Sequence, residues 1–330
     1  MAAKKWRAGL RGAWLALLCS LACAQTPPQE SVLQMPGPQG HLGGVLLRAA
    51  PPAGAVLLII PGSGPTDHDG NNLRGLRADT YQLLAQGLAE RGISSLRIDK
   101  RGMYSSATAV ADANAVTISD YAADVHSWVR LLRRKLQLRC VWLMGHSEGG
   151  MVAMVAAQEP AGVCGLVLLA TAGRPLGEVL RSQLKSQLAS APLQHAAFAT
   201  LDALEAGRHV PAQDLPRALL PLFRPRLQGF LISAFSYDPA RLLKTYTQPV
   251  LILQGERDLQ VTVEDARLLK QAAPHAQLCL LADTNHVLKR VTADERAANL
   301  ATYSDANLPL APGVVAAIAD FVRGPGARAR

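Results

Sequence analysis

The chain has 330 residues, of which 49% are hydrophobic and 5% aromatic, with a formal net charge of +9. That length suits one large α/β domain or two small ones. The charge is dispersed and the few aromatic residues do not interleave with basic ones, which argues against a nucleic-acid-binding surface.

The first 24 residues have the three parts of an export signal. Lys4, Lys5, Arg7 and Arg11 form a basic region, residues 13–21 an apolar stretch too short to cross a bilayer, and Ala22-Cys23-Ala24 a small-x-small cleavage site. The mature protein is therefore expected to begin at Gln25 and to be periplasmic or secreted. Cys23 offers another route, cleavage before a lipidated cysteine that would anchor the protein to a membrane, although Ser20 stands where that pattern favours leucine. No later apolar run is long enough for a transmembrane helix. The leader holds four basic residues and no acidic one, so the mature chain carries +5.

Two short extended stretches, 32–35 and 44–48, flank Gly37 and Gly40 and predict an N-terminal hairpin. Residues 55–60 form a buried strand ending at Pro61-Gly62. Residues 81–90 have helical spacing and stop at Gly92, and 94–98 form another apolar strand before Asp99-Lys100-Arg101-Gly102. Thr117-Ile118-Ser119-Asp120 opens a long amphipathic helix, with Tyr121, Val125, Val129 and Leu132 on one stripe. Near its end lie Arg130, Arg133, Arg134, Lys135 and Arg139, a cluster that suits the helix dipole and a solvated face.

Next come a strand at 140–144, a helix from Ser147 and a strand at 165–169. Residues 174–246 break this rhythm. They are rich in Leu, Ala, Gln and Arg, and Pro192, Pro211, Pro216, Pro221 and Pro225 cut them into short helices. Alternation resumes with strands at 250–253 and 277–281 and helices near 263–272 and 314–322. The Gly-Pro-Gly-Ala-Arg tail is expected to be disordered.

Strands alternating with helices imply a mostly parallel sheet of about eight strands with helices on both faces. The hairpin adds antiparallel strands at one edge, and 174–246 is expected to be a small helical lid inserted after the sixth strand. Residues 25–330 then form a single domain. Three cysteines survive removal of the leader. Cys140 and Cys164 start neighbouring strands, where a disulfide is one option and burial as small apolar residues the expected one; Cys279 is the third. No Cys or His spacing suits a metal, and no cofactor is expected.

The chemistry is concentrated in Gly145-His146-Ser147-Glu148-Gly149. An apolar strand runs into this Gly-x-Ser-x-Gly and a helix-compatible segment follows, the setting in which a serine stands exposed at the tip of a sharp strand-to-helix turn. The bland alternative is an ordinary glycine-rich turn. A nucleophilic serine needs a base, and the base an orienting acid. In an open parallel sheet reactive groups collect at the carboxyl ends of the strands. Among eight histidines that rule selects His286, just past the strand 277–281. His275 precedes the same strand, His126 lies within a helix, His195 and His209 lie in the lid, His41 lies in the hairpin, and His146 points away from Ser147. For the acid, the loop after 250–253 supplies Asp258, with Glu256 in reserve and Asp283 as an alternative. Backbone N–H groups of Glu148 and of Ser63, in the loop Pro61-Gly62-Ser63-Gly64-Pro65-Thr66-Asp67, are the expected oxyanion donors. That loop matches neither Gly-x-Gly-x-x-Gly nor Gly-Lys-Ser/Thr phosphate patterns. Asp99 and Arg101 are candidates for a polar cluster behind it, with Arg101 expected to pair with Glu148 or with the 61–71 loop.

From about residue 30 to 323 the chain resembles the α/β-hydrolase superfamily, and more narrowly bacterial exported esterase-like members of its serine aminopeptidase-type branch. Four motifs carry the resemblance in order: Pro-Gly-Ser-Gly-Pro-Thr-Asp at 61–67, Asp-Lys-Arg-Gly at 99–102, Gly-His-Ser-x-Gly-Gly at 145–150 and Asn-His-x-Leu-Lys at 285–289. His68 departs from the arginine expected there, which bears on how that loop is supported. The resemblance implies a serine hydrolase that cleaves carboxylic esters of small to medium acyl chain through an acyl-enzyme, with a small-molecule ester as partner. Amidase or peptidase and thioesterase activity on the same triad are the alternatives, and a non-catalytic binding protein of this fold is a further one. Exported proteins do not meet coenzyme A thioesters, and Asp202, Glu205 and Asp214 are a sparse acidic set for gripping a peptide amine.

Overall fold

The computed structural model describes Met1 and residues 28–50 and 54–324. The expected leader, Cys23 and the end of the tail lie outside the described residues. Eight strands form one sheet: β1 (Gln29–Pro36), β2 (His41–Arg48), β3 (Val56–Ile60), β4 (Ser94–Ile98), β5 (Val141–His146), β6 (Val163–Leu169), β7 (Val250–Gly255) and β8 (Gln277–Leu281). Their spatial order is β1-β2-β4-β3-β5-β6-β7-β8. The first hairpin is antiparallel and β2 joins β4 antiparallel, while every later pairing is parallel.

Strands β3, β4 and β5 are buried along their whole length, and β3 is apolar throughout because both of its faces are covered. In β3, Val56, Leu58 and Ile60 point into one core and Leu57 and Ile59 into the other. Helices α1 (Thr80–Ala89), α2 (Ile118–Leu136) and α3 (Glu148–Ala156) follow β3, β4 and β5 in turn. Thr117 caps α2 with a reciprocal box: its side chain accepts from the Asp120 N–H, and the Asp120 carboxylate accepts from the Thr117 N–H.

Between β6 and β7 run α4 (Leu176–Gln187), α5 (Ala191–Glu205), α6 (Leu220–Phe223), α7 (Pro225–Phe235) and α8 (Pro239–Lys244). Prolines begin α5, α6, α7 and α8, where the missing N–H costs no helical hydrogen bond. These helices carry their own apolar cluster, which includes Leu184, Leu201, Leu204, Phe223 and Leu231. Helix α9 (Val263–Ala272) follows β7. After β8 come α10 (Arg296–Ala301) and α11 (Val314–Arg323).

Two features differ from the sequence reading. Cys140 and Cys164 are joined by a disulfide, with Cα atoms 5.1 Å apart, rather than buried as separate thiols. Both sit at the same end of adjacent parallel strands, where the pairing of Val141 with Val163 sets their separation. Helix α10 is the second difference, a short element whose six residues are too few for a periodic signal.

Candidate active site

Ser147 lies between β5 and α3 with φ 55° and ψ −121°. A non-glycine residue adopts positive φ only when its surroundings enforce it. Gly145 and Gly149 let the chain pack closely enough to do so. A Cβ on Gly145 would stand 2.2 Å from the Gly149 carbonyl oxygen, and one on Gly149 would stand 2.2 Å from the Ile60 oxygen. The Ser147 N–H donates to the Leu169 carbonyl at 2.9 Å, which ties the turn to β6.

The sheet brings His286 and Asp258 together from the ends of two neighbouring strands. His286 Nδ1 lies 2.8 Å from Asp258 Oδ2, so Nε2 is the nitrogen left for other work. The Asp258 side chain is fully buried. It also accepts from the Gln260 and Val261 backbone N–H groups at 2.7 and 3.0 Å and from Gln254 Nε2 at 3.1 Å. Burial pushes its pKa upward, but the neighbouring His286 charge and these hydrogen bonds outweigh burial and hold the carboxyl below its usual value. Glu256 forms no part of this group, and Asp283 pairs with Arg290 instead. Ser147 and His286 line one cavity, and among the described residues no hydrogen bond joins them.

The loop 61–71 passes beside Ser147. Among the described residues, neither the Ser63 N–H nor the Glu148 N–H has a protein acceptor, and both residues line a cavity with Ser147. The loop is fixed from behind. Gly62 N–H donates to Tyr81 Oη at 2.9 Å. Tyr81 Oη in turn meets His146 Nδ1 at 2.9 Å, and His146 Nε2 meets the His286 carbonyl at 2.8 Å. His146 thus points away from Ser147, buried against the backbone of His286.

Asp99 lies behind the loop, where it accepts from the His68 backbone N–H at 2.7 Å and sits 3.1 Å from His68 Nδ1. The histidine that departs from the expected arginine therefore still anchors the loop. The hydrogen bond that His68 makes to the Asp99 carboxylate, against the cost of burial, raises the His68 pKa. Arg101 behaves otherwise than expected. It turns away to α2, with Nη2 2.7 Å from Asp124 Oδ1 and Nη1 3.0 Å from Asp120 Oδ1. Its neighbour Lys100 contacts the loop instead, at 2.6 Å from the Gly62 carbonyl oxygen and 3.1 Å from Glu148 Oε1. Adjacent residues in a turn project to different sides, and the sequence pattern does not say which cation faces the site.

A second contribution missed in the sequence comes from the α10 region. Asn299 Nδ2 donates to the Arg257 carbonyl at 2.7 Å, and Asn285 Nδ2 donates to Asn299 Oδ1 at 3.1 Å. Asn299 thereby links the chain beside Asp258 to the chain beside His286. Isolated asparagines in a polar segment give no signal of this before the fold is known.

Two chambers meet at Ser147 and Ser63. One, about 310 Å³, is roofed by α4 and α7 and lined by apolar side chains such as Val179, Leu180, Leu227, Phe230 and Leu231. The other, about 250 Å³, holds His286 and is more polar, with Thr66, Asn72, Tyr81 and Tyr303 in its wall. Among the described residues no group of three or more His, Cys, Asp or Glu is placed to hold a metal ion, and no helix is long and apolar enough to cross a membrane.

Residues 74–216 match the Hydrolase_4 family, described as serine aminopeptidase, S33. Esterase EstD of Thermotoga maritima is 30% identical over 239 residues, covering 70% of this chain and 54% of EstD. The chain thus spans about half the length of that curated relative. Among solved structures, the esterase Pf2001 of Pyrococcus furiosus superposes with a TM-score of 0.55 at 15% identity over 95% of each chain. A thermophilic esterase from Thermogutta terrifontis superposes with a TM-score of 0.53 at 15% identity, over 88% of this chain and 98% of its own. At that identity the two structures speak for the fold alone. The eight-stranded sheet and these superpositions give the chain the α/β-hydrolase fold, and it is similar to the Hydrolase_4 family over 74–216 and to EstD over 239 residues.

Proposed function

We propose that the protein is an exported serine esterase that works through an acyl-enzyme. The observation that carries this reading is the meeting, where two chambers join at Ser63 and Ser147, of a serine held at positive φ, a histidine paired with a buried aspartate, and two backbone N–H groups without acceptors among the described residues. Ser147 Oγ attacks the ester carbonyl while His286 Nε2 takes its proton. The carbonyl oxygen, now negative, is received by the Ser63 and Glu148 N–H groups. His286 then gives the proton to the departing alcohol, and water repeats the sequence to release the acid. Asp258 holds the ring and balances the imidazolium.

This proton route assigns the two chambers. The alcohol oxygen must reach His286, so the alcohol belongs in the polar chamber that contains His286. The acyl chain takes the apolar chamber beneath α4 and α7, which suits an aliphatic acid of small to medium length. Trimming of peptide N-termini is disfavoured, because Glu148, the one acid that lines either chamber among the described residues, is already paired with Lys100. The Cys140–Cys164 disulfide supports an oxidising compartment.

The test is hydrolysis of p-nitrophenyl esters of increasing acyl length by residues 25–330, beside Ser147→Ala. Turnover by wild type that is abolished in the variant is the expected result. A folded wild-type protein that turns over no ester and takes no fluorophosphonate label would end the esterase reading.

A further inference from the structure

We infer that Lys100 is the positioning residue of the oxyanion hole, an inference that rests on the esterase reading above. Lys100 is only 4% exposed. Its Nζ meets the Gly62 carbonyl oxygen at 2.6 Å and Glu148 Oε1 at 3.1 Å, and it sits 5.3 Å from the centre of the Tyr121 ring. Two oxygens and one ring face thus surround a group with three donors.

Each oxygen belongs to one of the two donor residues. A trans peptide is planar, with its C=O and N–H on opposite sides. The Gly62 C=O and the Ser63 N–H are the two ends of one such plane. Holding that oxygen on Lys100 therefore turns the Ser63 N–H away from Lys100, towards the chamber that Ser63 lines with Ser147. The preceding peptide is fixed too, because the Gly62 N–H donates to Tyr81. Beyond Ser63 the following peptides are held separately, since the Ser63 carbonyl accepts from Thr66 Oγ1 at 3.1 Å and the Gly64 carbonyl from the Thr66 N–H at 2.9 Å, whereas the Gly62 carbonyl meets Lys100. Lys100 is thus the contact that resists rotation of the Gly62–Ser63 peptide. Its cationic end also polarises that amide, which strengthens the N–H as a donor. The contact to Glu148 restrains the residue that supplies the second N–H, at the first position of α3.

The test compares wild type, Lys100→Met and Lys100→Arg on p-nitrophenyl butyrate, with active sites counted by fluorophosphonate. It also measures affinity for a trifluoromethyl ketone, which binds as a tetrahedral adduct, and thermal unfolding. Lys100→Met is expected to lower kcat about 10- to 100-fold and to weaken the ketone by a similar factor, with KM within about twofold. Lys100→Arg keeps a displaced charge and donor and should fall between the two. A purely structural role would lower the unfolding temperature and leave kcat per active site and ketone affinity at wild-type values, which overturns the inference. If Lys100→Met does not fold, Lys100→Arg decides: a joint fall in kcat and ketone affinity supports the inference, and wild-type values for both overturn it. Wild-type turnover and its loss in Ser147→Ala are measured in the same assay. Their failure would remove the esterase reading itself, whereas an unaffected Lys100→Met beside an active wild type removes only this inference.

Discussion

The tautomer of His146 follows from its neighbours. The His286 carbonyl can only accept, so His146 Nε2 carries the proton and Nδ1 accepts from the Tyr81 hydroxyl, whose oxygen accepts from the Gly62 N–H. This chain of donors has room for one ring proton only. Burial, then the charge of His286, push the His146 pKa down to about 3. The unfolded chain, with an ordinary histidine, binds more protons than the native one between roughly pH 6.5 and 3. Stability is therefore expected to fall as pH drops through that window, by on the order of a few kcal/mol in all. His68, whose pKa is raised, contributes in the opposite sense and at higher pH. Asp258, held low, loses its contribution only below the ordinary carboxyl range. Unfolding temperatures measured between pH 6.5 and 4.5 should thus decline more steeply in wild type than in His146→Gln, and equal slopes would refute the assignment. The role of Asp258 separates cleanly from this. Asp258→Asn removes the acceptor that orients His286 and should lower kcat by about 10³- to 10⁴-fold, measured at neutral pH where native wild type and variant are both populated.

At the scale of elements, local constraints were legible in the sequence and non-local ones were not. The turn at Ser147 is dictated by glycines a few residues away. Gly149→Ala would place a Cβ 2.2 Å from the Ile60 oxygen, a backbone atom of a central strand that cannot yield. Loss of soluble, folded protein is the expected outcome, read by circular dichroism, and a stable, active Gly149→Ala would contradict it. The capping box at Thr117 and the strand–helix alternation were equally readable, since each is written within a single element. Facts set by distant packing were not. The pairing of Cys140 with Cys164 depends on the register of β5 and β6, and the orientation of Lys100 and Arg101 depends on what α2 and the 61–71 loop present to them. The disulfide closes a separation of 24 residues around the serine turn. Chain-entropy arguments give its removal a cost of about 3 kcal/mol. Replacing both cysteines with alanine should lower the urea midpoint accordingly, while leaving kcat of the folded fraction near wild type.

Across the whole molecule, the proposed chemistry and the proposed substrate fit fall to different parts of the chain. Ser147, Asp258 and His286 follow the carboxyl ends of β5, β7 and β8, and β5 stands beside the place where strand order reverses between β3 and β5. The apolar chamber is shaped by α4 and α7, which have a separate core of their own. Arg174 joins the two parts where the chain leaves β6, through paired contacts of 2.9 Å to the buried Asp265 carboxylate of α9. This division means that acyl preference can change without disturbing the proton route. Leu231, 7% exposed, lies on α7 and faces the chamber. Leu231→Trp adds an indole to a space of about 310 Å³, and so should shorten the acyl chain that fits while leaving room at the serine. The expected profile is a kcat/KM for acetate ester within about threefold of wild type and a loss of about 10-fold or more for the longest chain that wild type accepts. That difference amounts to about 1.4 kcal/mol of transition-state binding. Uniform loss across all chain lengths would mean that α7 supports the catalytic groups themselves. An unchanged profile would place the acyl chain in the polar chamber and reverse the assignment made from the position of His286.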